Sequence, residues 1–220
     1  MRLSKRLYRW WYDHVHSKYY DLLVAWCFLP FGGERAFRQR LIGDVEFKPG
    51  DRILEMCCGT GNATQAAALR TGPDSTIIAF DLSFGQTRIA VRKDYDAEVA
   101  FLQADATNTP FPDASFGMVM IPHAVHEMWH DVRMRVFREA MRLLKPGGRL
   151  VILDLDNPPS LARKLFAGLW LFYWLPFNFE TPTRREMFRI GLDNEVREAG
   201  FSNVRKLSLH GGTFQVVIAS

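Results

Sequence analysis

The chain has 220 residues, 48% of them hydrophobic and 24% charged, with a formal net charge of +4. That length suits one domain with a sizeable core, and the composition excludes a disordered or collagen-like chain. Of the three cysteines, Cys27, Cys57 and Cys58, the adjacent pair is poorly placed for a disulfide and no zinc-type C-x-x-C exists, which points to a reduced, cytoplasmic protein.

The charge is unevenly placed. Residues 1–48 hold nine Lys/Arg against five Asp/Glu, whereas the remaining 172 residues hold nineteen of each sign. The basic segment opens "MRLSKRLYRWWY", with Leu3, Leu7, Trp10 and Trp11 on one helical stripe and Arg2, Lys5, Arg6 and Arg9 largely elsewhere. Two readings stand for such a helix. It docks on its own domain, or it lies on an anionic membrane surface. The following "LLVAWCFLPF" is ten residues long, against the ~20 a spanning helix needs. Asp13 and Asp21 interrupt the approach to it and no clean cleavage site follows, so neither a signal peptide nor a membrane span is expected.

From Asp51 strand-like and helix-like runs alternate. "RILEM" reads as a strand leading into "CCGTG", and "NATQAAALRT" as a helix. "STIIAFD" is a strand, "GQTRIAVRKDY" a helix, and "VAFLQAD" and "FGMVMIP" are strands. "HDVRMRVFREAMRLL" is an amphipathic helix that stops at "KPGG", and "RLVILDLD" is the next strand. Nearly continuous apolar strands alternating with helices predict a parallel sheet covered on both faces. The end differs: helical "NEVREAG", then "NVRKLSLH" and "TFQVVIAS" around a Gly-Gly turn, which predicts an antiparallel strand at the C-terminal edge.

Ligands of open α/β sheets bind beyond the carboxyl ends of the strands. Strand one ends at Glu55 and runs into Gly59-Thr60-Gly61. Strands two and three end at Asp81 and Asp105, strand four at Pro122-His123, and strand five at Asp154 and Asp156. A glycine turn admits close backbone approach, and a carboxylate after strand two suits ribose hydroxyls. A third carboxylate can accept from an exocyclic amine, so the set describes an adenosine site. The dinucleotide fingerprint G-x-G-x-x-G is incomplete, because Thr64 stands where the third glycine belongs. Glu55 would repel a pyrophosphate but attract an ammonium, which favours S-adenosylmethionine.

"ILEMCCGTG", "IIAFDLS", "FLQADATNTPFPDASFGMVM" and "MRLLKPGGRLVILD" resemble, in order and at similar intervals, the motifs of class I S-adenosylmethionine-dependent methyltransferases. The nearest resemblance is to the ubiquinone/menaquinone-biosynthesis (type 11) group. The resemblance implies a Rossmann-like α/β fold with a seven-stranded, mostly parallel sheet, and S-adenosyl-L-methionine as cofactor with S-adenosyl-L-homocysteine as product. It implies that Glu55, Gly59, Thr60 and Gly61 hold the methionine part, that Asp81 takes the ribose hydroxyls, and that Leu82, Asp105 and Ala106 take the adenine; Cys57, within the same turn, is counted in the expected cofactor set. Pro122, at the end of strand four, completes the expected cofactor set. The family usually has glycine where Cys57 stands.

"HEMWH", His126 to His130, fits H-E-x-x-H, which on a helix holds zinc. Here it follows strand four inside a methyltransferase frame, where substrate-facing residues belong, so no metal and no peptidase are expected. His123, His126 and His130 have the spacing of one helical face. His123, His126 and Glu127 are the candidate proton acceptors, with His123 and His126 reading equally as substrate-orienting groups or as polar residues that line the pocket or cap the helix. "NPPS" (157–160) resembles the motif of base-methylating enzymes but follows strand five rather than strand four, and the neutral body lacks a basic face for nucleic acid.

"LARKLFAGLWLFYWLPFNFE" (161–180) reads either as packing or as a greasy lid over a hydrophobic acceptor. With the basic N-terminus it would make a peripheral membrane contact. The expected organisation is thus a helical N-terminal segment, 1–48, covering the active site, and a methyltransferase domain, 49–220, with 158–185 as a lid-like insertion. The expected acceptor is a small, hydrophobic or lipid-like molecule. A phospholipid N-methyltransferase-like enzyme and a non-catalytic S-adenosylmethionine-binding protein are the alternatives.

Overall fold

The computed structural model describes residues 5–72, 74–162, 164, 165 and 181–220. The core of the expected lid, 166–180, lies outside the described residues. The seven strands form a mostly parallel sheet in the order β3-β2-β1-β4-β5-β7-β6, with helices packed around it. The chain divides into two compact units, residues 1–110 and 111–220.

In the first unit, β1 (Arg52–Met56), β2 (Thr76–Asp81) and β3 (Glu98–Gln103) run parallel, with Leu54 opposite Ile78 and Ile78 opposite Ala100. Ile53, Leu54, Met56, Ile77, Ala79 and Phe80 are fully buried. Burial of each large side chain stabilises by about 1.5–3 kcal/mol, which explains why these strands read as continuous apolar runs. The helices are α1 (Lys5–Trp11), α2 (Ser17–Cys27), α3 (Glu34–Leu41), α4 (Asn62–Ala68) and α5 (Phe84–Ala90). A π-helical turn, Tyr12–His16, joins α1 to α2. Ser83 caps α5 by accepting from the Gln86 N–H (3.2 Å).

In the second unit, β4 (Phe116–Pro122) runs parallel to β5 (Leu144–Leu155). β7 (Phe214–Ala219) runs antiparallel to both β5 and β6 (Val204–Leu209), so the two C-terminal strands close this side of the sheet. β5 starts earlier than the sequence predicts. Phe116 faces Leu144 and Met118 faces Arg149, so the "KPGG" turn is an irregularity carried inside the strand. The helices of this unit are α6 (His130–Leu143), α7 (Thr181–Ile190) and α8 (Leu192–Glu198). Arg133 of α6 is fully buried and grips the equally buried Glu195 through Nε (2.6 Å) and a terminal nitrogen (2.5 Å), while also donating to the Met128 carbonyl. This bidentate pair ties α6 and α8 to the segment that follows β4.

Candidate functional site

The first unit gathers the predicted cofactor residues at the carboxyl ends of its strands. β1 delivers Glu55 and then turns through Cys57 to Gly61. The turn is held by the Cys58 N–H donating to the Phe80 carbonyl (2.9 Å) and the Gly61 N–H to the Cys58 carbonyl (2.9 Å). Gly61, at φ +81°, opens α4. A Cβ there would collide with the Tyr95 hydroxyl and press on Ala90, so only glycine lets the turn close onto α5. Cys57 takes φ +61° without being glycine. That left-handed conformation costs an L-residue roughly 1–2 kcal/mol and accounts for the family preference at this position.

Asp81 ends β2 and fastens the turn to the next loop. Its Oδ2 accepts from the Gly59 N–H (3.0 Å) and its Oδ1 from the Ser83 N–H (2.9 Å). Burial pushes its carboxyl up, the two amides oppose this, and the Asp13 charge adds to it. The amides fix the carboxylate's direction while leaving lone pairs to meet ribose hydroxyls. Leu82 is half-buried beside it, and its carbonyl accepts from the Gln103 side chain (2.8 Å). Asp105 lies beyond β3, where its Oδ1 accepts from the Thr107 N–H (3.0 Å) and hydroxyl (2.8 Å), and Ala106 is buried next to it.

Glu55 is the decisive side chain. It is 0% exposed, and neither carboxylate oxygen has a hydrogen-bond partner among the described residues. Burial pushes its carboxyl up to about 8. The neighbouring Thr64 hydroxyl and the Arg38 charge pull it back, and Asp81 adds to the rise. The Thr64 hydroxyl, close enough to lower the Glu55 carboxyl, is buried short of good hydrogen-bond geometry, and Gln86 Oε1 is buried without a hydrogen bond among the described residues. Gln86 Oε1 lies 3.9 Å from where a Cβ on Gly59 would sit. Burying a polar group unpaired is costly, so such a cluster of acceptors marks a place for a ligand that donates hydrogen bonds. Cys58 fits no nucleophilic role: burial, with the Asp81 and Glu55 charges beside it, pushes its thiol well above the ordinary range.

Sequence reasoning missed the residues that fasten the N-terminal helices to this cradle. Asp13, in the π-helical turn, accepts from the Ser83 hydroxyl (2.6 Å) and the Gly85 N–H (3.0 Å). The backbones meet so closely there that a Cβ on Gly85 would lie 2.5 Å from the Asp13 carbonyl oxygen. His16 meets Gln86 (3.0 Å). Asp21 accepts from the Thr60 hydroxyl (2.5 Å) and the Asn62 amide (3.2 Å) and pairs with Lys93 (2.8 Å). Burial raises the Asp21 carboxyl, but Lys93, Thr60 and Asn62 together bring it below its usual range. With its hydroxyl committed to Asp21, Thr60 has its backbone to offer a ligand.

The second unit holds Pro122 at the end of β4 and the three candidate proton acceptors after it. His123 takes φ +49°, its N–H donates to the Leu153 carbonyl (2.6 Å), and its ring stands edge-on to Phe214. His126 lies on a short 3₁₀ turn, Val125–Glu127. Its Nδ1 bonds Asp154 Oδ1 (2.6 Å), and Asp154 also accepts from the N–H groups of Val125 (3.0 Å), His126 (3.3 Å) and Leu155 (2.6 Å). Burial pushes the Asp154 carboxyl up, but His126, through charge and hydrogen bond, outweighs it with His123 and the Leu155 amide, so the net shift is downward. A carboxylate held ionised can only accept, so in this bond His126 Nδ1 carries the proton. Glu127 is half-buried on the same turn.

The single helical face expected for His123, His126 and His130 does not form. Met128 (ψ 144°) and Trp129 (ψ 152°) are extended, so the helix begins only at His130. The two histidines of H-E-x-x-H therefore do not stand one turn apart. His126 turns to Asp154, while His130 receives Glu186 at its N–H (2.9 Å) and Glu198 at its ring (3.3 Å). Among the described residues no group of His, Cys, Asp or Glu is arranged to hold a metal.

A methyltransferase-domain family model matches residues 53–148, the stretch from β1 through the "KPGG" turn. A methyltransferase from Synechocystis sp. is 30% identical over 221 residues, covering 97% of this chain and 95% of that protein. The chain belongs to the S-adenosylmethionine-dependent methyltransferases. The 2-phytyl-1,4-naphthoquinone methyltransferase of Thermosynechococcus vestitus is 29% identical to it, over 87% of this chain and 90% of its own. The demethylmenaquinone methyltransferase of Staphylococcus aureus is 28% identical, over 89% and 86%. A solved S-adenosyl-L-methionine-dependent methyltransferase from Methanococcus maripaludis superposes with a TM-score of 0.69 at 21% identity, over 100% of this chain and 95% of that one, and shows the same fold.

The residues of this methyltransferase fit its cofactor. The orphaned Glu55 suits the cationic amino-acid end, and the buried acceptor Gln86 Oε1 beside the glycine turn would face donors rather than a phosphate. Asp81 suits the ribose. The sequence identified these strand-end residues because each ends an apolar run. It did not signal Gln86, Asp13 or Asp21, whose partners are up to 72 residues away.

Proposed function

We propose that this methyltransferase methylates a small, apolar acceptor of the quinone type. The observation that carries the reading is the nearly full-length similarity to two methyltransferases whose names specify naphthoquinone-derived substrates. Glu55, the glycine turn, Asp81, Leu82, Asp105 and Ala106 hold the cofactor. Bound S-adenosylmethionine supplies an electrophilic methyl group on a positively charged sulfur. Because charge on that sulfur is lost in the transfer, the protein contributes mainly by orienting the reactants and excluding water.

An acceptor bearing a proton must lose it as the new bond to carbon forms. We assign that proton to His126 Nε2, because Asp154 holds the ring through Nδ1 and stabilises the imidazolium that results. Thr183, from α7, donates to the His126 carbonyl (2.7 Å) and steadies the turn. His123 and Glu127, on the same stretch after β4, are the other candidates. The N-terminal helices cover the cofactor loops through Asp13 and Asp21.

The test is methyl transfer from labelled S-adenosylmethionine to reduced naphthoquinones, with phosphatidylethanolamine and a lipid extract in parallel. Label in the quinol carries the reading. Label in phospholipid alone would replace it with the lipid N-methyltransferase alternative, and cofactor binding without transfer to any acceptor would point to a binding protein.

A further inference from the structure

The N-terminal helices have two sides of opposite character. From Lys5 to Cys27 the chain is helical without a break, α1 and α2 being joined through the π-helical turn. The inner side carries the acids. Asp13 and Asp21 turn to Ser83, Gly85, Thr60 and Asn62, while Ser17, Val24 and Cys27 are buried. The outer side carries large apolar groups that the domain does not cover: Leu22 is 70% exposed, Trp26 69%, Leu29 64% and Trp10 52%. Arg6, Arg9 and Lys18 are exposed among them. Near the start of the segment a groove of about 330 Å³ is lined by Arg6, Leu7, Arg9, Trp10, Asp13 and His14, with the Trp10 ring stacked on His14.

The spacing is helical. Trp10, His14, Lys18, Leu22 and Trp26 follow one another at intervals of four residues, and Leu29 follows three later. From Trp10 to Trp26 the exposed residues therefore form a stripe along one side of a helix whose opposite side is packed, and Leu29 extends it in the 3₁₀ turn that follows. Mixed cations, tryptophans and leucines on one exposed stripe match the head-group layer of an anionic bilayer, where tryptophan and leucine enter and arginine meets phosphate. No described helix is long and apolar enough to cross a membrane, so the contact is with the surface.

We propose that the outer stripe of residues 6–29 is a docking surface for anionic lipid bilayers. Arg6, Arg9 and Lys18 meet the phosphates, and Trp10, Leu22, Trp26 and Leu29 enter the head-group layer. The proposal gives the apolar acceptor a source, but its test does not involve methyl transfer and stands apart from the acceptor's identity.

The experiment is co-sedimentation of the full chain with vesicles of phosphatidylglycerol and phosphatidylcholine, and with vesicles of phosphatidylcholine alone. The expected result is binding to the anionic vesicles that weakens as salt is raised. Each basic residue near an anionic surface is worth about fivefold in affinity, so Arg6→Gln/Arg9→Gln should weaken binding by roughly 25-fold. Leu22→Ser/Trp26→Ser should weaken it by at least tenfold, and both variants should keep wild-type affinity for S-adenosylhomocysteine, which reports an intact fold. Failure to bind either vesicle would overturn the proposal, as would binding that both variants leave unchanged. So would a solution dimer that Trp26→Ser dissolves, which would make this face an interface between copies.

Discussion

Glu55 and Asp154 are both carboxylates at strand ends, and both are 0% exposed, yet their surroundings are opposite. Asp154 receives three backbone N–H groups and the His126 ring, and its acidity is strengthened. Glu55 has no partner in hydrogen-bonding geometry among the described residues, the nearby Thr64 hydroxyl and Arg38 charge offset its burial only in part, and its carboxyl is pushed up to about 8. Burial alone therefore does not set the role of an acid. Asp154 is compensated from within the protein and can serve as a permanent anion that orients a histidine. Glu55 lacks that compensation and is suited to a partner that arrives from outside with positive charge.

The largest effect should come from breaking the compensated side. Asp154→Ala would leave three N–H groups and the His126 ring without their acceptor, and should cost about 3–5 kcal/mol of stability, read as a lowered midpoint in urea. His126→Ala spares most of that network. It should lower kcat by about 10²–10⁴-fold with cofactor affinity unchanged, if the proton goes where we assign it. An unchanged kcat in that variant would remove His126 from the chemistry.

On the other side, Glu55→Gln keeps the shape but removes the charge. It should weaken S-adenosylhomocysteine by about 10–100-fold, in line with the ~1.5–3 kcal/mol of a charge-assisted bond. The same acid makes the apo-protein pH-dependent. Its folded pKa is raised, so between the ordinary carboxylate range and about 8 the native state binds more protons than the unfolded one. This contribution to stability is fully present below about 4.5 and declines as pH rises through about 8. Urea midpoints of apo wild type should therefore fall across that window more steeply than those of Glu55→Gln, and parallel curves would contradict the shift. The smallest effect concerns the turn itself. Cys57→Gly relieves the left-handed strain but frees the unfolded chain, for a net gain of about 0.5 kcal/mol, seen as a slightly raised Tm.

The same contrast explains what the sequence could disclose. Strands β1 and β4 coincide with "RILEM" and "FGMVMIP" because a parallel strand buried on both faces is written locally, as an uninterrupted apolar run. The residue that ends each run then falls at or just past the carboxyl end of its strand, so the positions of Glu55, Asp81 and Asp105 in the fold were legible. Pairings between distant residues were not. Asp13 and Asp21 read as interruptions of an apolar stretch, because their partners lie in loops that follow β2 and β1. The His126–Asp154 pair spans 28 residues and needs the strand register to bring it together. "HEMWH" misled on helical geometry for a local reason. Met128 and Trp129 extend the chain, and the Arg133 side chain fixes that extension by holding the Met128 carbonyl.

The most direct test of the account is calorimetric titration of the protein with S-adenosylhomocysteine at pH 7, repeated in buffers of different ionisation enthalpy. If Glu55 is protonated in the free protein and ionises against the ligand's ammonium, binding should release close to one proton in the wild type, about 0.9 for a group titrating near 8, and none in Glu55→Gln. Tight binding with no proton release, and with affinity unchanged in Glu55→Gln, would contradict the assignment of this buried carboxylate as the seat of the cofactor's cation.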